Sequence, residues 1–136
     1  MSWAQSLIKL ATYEVEVLQK RLAEVGDRRQ AAEMKIFMLD AEGQAEIAHV
    51  SAHPEGAFRL PSYLAALKMR KEQAQADVDV LLMEEQGARD ALARAFEEQK
   101  KYEEIAEQQR LTAVKEAGKR DAAAMDELGL RKAAGR

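Results

Sequence analysis

In 136 residues this chain carries 26 Ala, 17 Glu, 14 Leu, 11 Arg and 10 Lys, 57% of the total in five helix-favouring types, above the roughly 50% that marks a coiled coil or long helix. Asn and Cys are absent and Pro occurs only at 54 and 61. Little is left to build turns from, and a disulfide framework, a thiolate nucleophile and a Cys-ligated metal are excluded. A net charge of −3 with a pI near 5.5 argues against a nucleic-acid partner, which selects for excess basic residues.

Lys9, Glu14 and Glu16 interrupt the apolar residues at the start of the chain, unlike the unbroken apolar core of a signal peptide. No later run approaches the roughly 18 apolar residues that span a bilayer. The expectation is one elongated, all-α, cytoplasmic domain rather than a compact enzyme.

Stepping alternately by 3 and 4 residues from Ile8 gives Ile8, Ala11, Val15, Leu18, Leu22, Val25, Arg29, Ala32, Ile36, Leu39, Gly43, Glu46, Val50. Most of the series is apolar, which is the seam of a two-helix coil, and it predicts a first helix over about 3–52. Residues 53–62 hold both prolines and Gly56. Neither proline continues a helix without removing a donor and clashing with the preceding turn, so this segment is the turn. Ser62 is then the expected N-cap of a second helix over about 63–130, followed by a frayed tail to 136.

The second seam reads Leu64, Leu67, Lys71, Ala74, Val78, Leu81, Glu85, Ala88, Leu92, Ala95, Gln99, Tyr102, Ala106. Past Ala106 this register decays, and another takes over with Leu111, Val114, Met125 and Leu128, a phase break in the coil. A short connection makes two long helices antiparallel neighbours. Pairing about the turn sets Ile36 against Val78, Leu22 against Leu92 and Ile8 against Ala106, apolar on both sides. The fold class is therefore an antiparallel coiled-coil hairpin whose second helix overhangs at its C-terminal end, from about Leu111. The remaining helical alternatives are a parallel homodimer and a general coiled-coil assembly or adaptor protein.

Chemistry-bearing motifs are few. Gly118-Lys119 lacks the upstream glycine and following Ser/Thr of a phosphate loop. His49 and His53 share a helix face but have no further ligand nearby, and their plainer role is to interact with the last carbonyls of the first helix. Glu84-Glu85, Glu97-Glu98 and Glu103-Glu104 diverge by about 100° around a helix and read as solvated faces. Met34 and Met38 read as fillers beside the seam, and Trp3, Phe37 and Phe96 as packing. Met69, beside Tyr63 and Arg70, reads as an interaction surface, as does Phe58 in the turn. No catalytic residue, cofactor or metal site is expected.

The aromatic-led second helix (Ser62-Tyr63-Leu64-Ala65-Ala66-Leu67), the Glu97–Glu104 segment and the late Met125-Asp126-Glu127-Leu128, on a chain of this length and organisation, resemble the FliJ family of flagellar export proteins. The resemblance implies a fold similar to the stalk of rotary ATPases. It also implies a cytoplasmic role in flagellum biogenesis and motility, within the type III export apparatus at the inner membrane. Its implied partners are the hexameric export ATPase, the cytoplasmic domain of the export gate, and export chaperones. Carried onto this sequence, the gate-contacting stripe falls on Tyr63, Leu67, Arg70 and Ala74, and the ATPase-facing part on the paired termini, including the overhang. Residues 110–136 hold seven Lys/Arg against four acids, Lys119 and Arg120 among them, a cationic end suited to steering toward an acidic pore.

Overall fold

The computed structural model describes residues 2–135 as two α-helices joined by a single 3-10 turn: α1 (Trp3–Ala52), the turn Pro54–Arg59, and α2 (Leu60–Ala134). Helix α1 opens on a reciprocal cap. The Gln5 amide donates to Ser2 Oγ at 3.2 Å while the Ser2 amide donates to Gln5 Oε1 at 3.1 Å, so two groups left without intrahelical partners are satisfied together. The helix ends where His53 takes an extended backbone (φ −132°, ψ 76°) ahead of Pro54, the conformation a residue before proline prefers.

The second helix begins earlier than the sequence suggested. Pro61 lies inside its first turn, where a missing N–H removes no intrahelical bond and the fixed φ is already helical. Ser62 is therefore not a cap: its hydroxyl donates back to the Arg59 carbonyl at 3.2 Å. At the other end α2 continues past residue 130 to Ala134.

Contacts divide the chain into two units. The larger, residues 16–93, contains the turn and is an antiparallel helical hairpin. Its core includes Leu39, Leu67 and Ala74, with Ile36, Tyr63 and Leu64 packed against them. Gly43 is buried there because the helices touch: a Cβ on it would stand 2.6 Å from Leu67 Cδ2. In the other unit, residues 1–15 and 94–136, Ala4, Ala11, Val15 and Ala95 are buried.

Within each unit the two seam series are buried or half-buried at every position from Ile8 to Val50 and from Leu64 to Ala106. The helix–helix seam is thus the one the periodicity implies. Pairing across it matches the expected register at Arg29–Glu85. It lies three residues to one side at Lys71–Asp40 and Gln99–Thr12 and four at Gly43–Leu67, so at these points the facing residues are offset by about one helical turn from the expected register. No described helix is long and apolar enough to cross a membrane.

Candidate partner-binding surfaces

Two surfaces follow from this packing. The first lies at the start of α2. Tyr63 sits on the flank of the core cluster, its phenol donating to Glu42 Oε1 at 2.9 Å, and the Arg70 guanidinium stands 3.5 Å from the same oxygen. The bond to the Glu42 carboxylate, with partial burial second, raises the Tyr63 pKa above that of a free tyrosine. Met69 is 71% exposed and Arg70 is also exposed. Leu67 and Ala74, the other members of the stripe carried over from the family, are at 4% and 2% exposure. Their side chains are spent on the seam, because both are seam positions of α2. A partner arriving at this face therefore meets Tyr63 and Arg70, with Met69 about 100° further round α2.

Beside Arg70 the face continues onto α1 as an open groove of about 590 Å³ lined by Ala31, Met34, Lys35, Met38 and Glu42 among others. Met34, Phe37 and Met38 are exposed, which corrects their reading as seam fillers and packing. They stand one or two residues from the nearer of Ile36 and Leu39, on positions that turn outward. Trp3, Phe58 and Phe96 are exposed as well.

The second surface is the overhang. Beyond Ala106 the described part of α2 has no buried residue, and only Ala117 is half-buried. Leu111, Val114, Met125 and Leu128 are all more than half exposed, and Lys119 and Arg120 are exposed beside them. Arg110 bridges Glu107 with two hydrogen bonds of 2.8 and 3.1 Å, and Arg131 donates to Glu127 at 2.9 Å. Arg136, counted in the cationic end, lies outside the described residues.

The profile of the family described as Flagellar FliJ protein matches residues 4–136. The chain belongs to the flagellar FliJ family. Flagellar FliJ proteins of two Caulobacter vibrioides strains, NA1000 / CB15N and ATCC 19089 / CB 15, are each 46% identical to it over 132 residues, 97% of this chain and 95% of theirs. No solved structure matches the chain significantly. The FliJ match takes in both helices, the turn and the whole overhang, so the exposed C-terminal stretch lies inside the family region.

Other sequence features resolve plainly. His49 and His53 stack with ring centroids 4.6 Å apart, and His53 Nδ1 lies 3.2 Å from the His49 carbonyl oxygen. Among the described residues no group of three or more His, Cys, Asp or Glu is placed to hold a metal ion. Glu85, a position of the second seam series as well as a member of the Glu84-Glu85 pair read as a solvated face, is buried in the seam between Arg29 and Arg89. The opposite signs of Arg29 and Glu85 at paired seam positions were the signal for it.

Proposed function

We propose that this FliJ family chain is a non-enzymatic helical component of the flagellar type III export apparatus, held at the inner membrane only through its partners. In this reading the overhang of α2, with the start of α1, engages the hexameric export ATPase. The surface at Tyr63, Met69 and Arg70 meets the cytoplasmic domain of the export gate, and export chaperones bind the same chain. The observation that supports it is the exposed apolar set Leu111, Val114, Met125 and Leu128, because a helix draws most of its stability from covering such a face. A helical element inserted off-centre into a hexamer biases its subunits among their states, provided it contacts those states with different free energies.

Deleting residues 112–136 tests the reading. The expected result is a folded hairpin that no longer stimulates the export ATPase and does not restore swimming to cells lacking the protein. Full stimulation by the truncated chain would overturn the ATPase contact.

A further inference from the structure

Beyond Ala106 the apolar residues of α2 change face. The series ending Gln99, Tyr102, Ala106 would continue through Gln109, Ala113, Glu116 and Arg120. The exposed apolar residues Leu111, Val114, Met125 and Leu128 fall two residues earlier than that series, which at about 100° per residue turns them by about 200°. They face away from the α1-covered seam, so a longer seam would still leave them bare.

Stepped by 3 and 4, the new stripe reads Glu107, Leu111, Val114, Gly118, Asp121, Met125, Leu128, Lys132. Its chemistry is symmetric about the midpoint between Lys119 and Arg120. An antiparallel copy laid along it sets Leu111 opposite Leu128 of the second copy, Val114 opposite Met125, Gly118 opposite Asp121, and Glu107 opposite Lys132. The two-fold axis repeats each pairing. Apolar layers thus meet apolar layers, and each outer layer joins a carboxylate to an ammonium. Glu107 is already held in place by its two bonds from Arg110. Gly118 leaves room for the Asp121 side chain to reach the edge of the interface. The flanking positions include Ala117, Ala122 and Ala124, which do not hold the backbones apart.

We propose that in the free protein this stripe is covered by the same stripe of a second copy, in an antiparallel coiled coil across residues 107–132. Four large apolar side chains from each copy and two ion pairs make a reversible, concentration-dependent dimer rather than an obligate one. The pairing stands independently of the export reading, and while it lasts it withholds the stripe from any other partner.

Sedimentation of the full chain from micromolar to near-millimolar concentration tests this without any other protein. The wild type is expected to pass from monomer to dimer, and Met125→Ser with Leu128→Ser to remain monomeric. Lys132→Glu should raise the dimer dissociation constant about tenfold, as expected for turning two exposed attractions into repulsions, and adding Glu107→Lys should restore it. Register is read by oxidation, since the chain has no cysteine. Val114→Cys and Met125→Cys variants should crosslink when mixed and not when either is alone. A wild type that stays monomeric, a Ser variant that dimerises unchanged, or crosslinking of one variant with itself as readily as in the mixture would overturn the proposal.

Discussion

Arg29 of α1 meets Glu85 of α2 inside the seam of residues 16–93, the Arg29 Nε donating to a carboxylate that is 5% exposed. Arg89 donates to the other Glu85 oxygen at 2.7 Å, and Arg29 gives a second bond to Glu33 at 2.9 Å. These carboxylates, Glu85 first, hold the Arg29 pKa above its already high ordinary value. No buried side-chain polar atom among the described residues lacks a hydrogen-bond partner. Removing one member of a buried pair strands the other, whereas replacing both with packed apolar groups is often neutral or stabilising. Arg29→Leu or Glu85→Leu alone should therefore lower the melting temperature by several degrees in circular dichroism. The double variant should recover most of the loss. Equal losses that simply add would show that the two residues do not act as a unit.

Much of this architecture was legible in the sequence. The 3,4 alternation located both helices and the seam because burial along a two-helix contact follows that spacing and little else. It failed where short-range backbone chemistry decides. Pro61 is read as a breaker on its own, yet in the first turn of a helix it costs nothing, and the helix start moved from Tyr63 to Leu60. The stripe at the start of α2 was legible only in part. Tyr63 and Arg70 flank the seam and Met69 faces away from it, while Leu67 and Ala74 belong to it, and one periodic pattern cannot serve a core and a partner with the same atoms. Pairing about the turn sets Arg29 against Glu85, but the second arginine on Glu85, Arg89 one turn along α2, is not counted by that rule.

The helical glycines separate by their neighbours. Gly87 and Gly118 have nothing within 4 Å of an added Cβ, whereas at Gly43 that atom falls on Leu67. Gly87→Ala should raise stability by about 1 kcal/mol through helix propensity alone. Gly43→Ala should bring no gain, because the same propensity is offset by displacing a side chain in the core. Denaturant melts of the two variants give the comparison directly. A stabilised Gly43→Ala protein would mean that the helices do not approach so closely there.

Tyr63 ties the surface proposed to meet the export gate to the hairpin core, which shapes how that surface is to be probed. Its phenol and that of Tyr102, beside Glu98, have raised pKa values chiefly because ionisation would break the hydrogen bond each gives to a carboxylate, with partial burial and the neighbouring negative charge adding to it. An acid whose folded pKa is raised contributes stability that is present below the ordinary tyrosine range, about 10, and is lost as pH rises through the folded value. Alkaline titration by phenolate absorbance should show ionisation extending above that range, and Tyr63→Phe should remove part of the high-pH portion. Met69→Ala with Arg70→Ala, which leaves the ring on the core, should keep full helicity while weakening binding to the export gate. Unchanged binding would retire this surface.

The cationic segment of the overhang makes the last prediction. Lys119 and Arg120 are exposed and enter none of the ion pairs formed among the described residues, so their charge is free to act at a distance. Charges of this kind alter association rates more than the contact itself, and salt removes their influence beyond about 10 Å at 0.1 M. Changing Lys119→Glu with Arg120→Glu should leave the melting curve unchanged, since neither side chain is packed. On the proposed reading, association with the export ATPase should slow about tenfold or more at low salt. The difference from wild type should shrink as salt is raised, while dissociation is little altered. Stopped-flow association measured across a salt series distinguishes the two rates. A defect that persists at high salt would place these residues within the contact, and an unaltered association rate at low salt would remove steering from the account of the overhang.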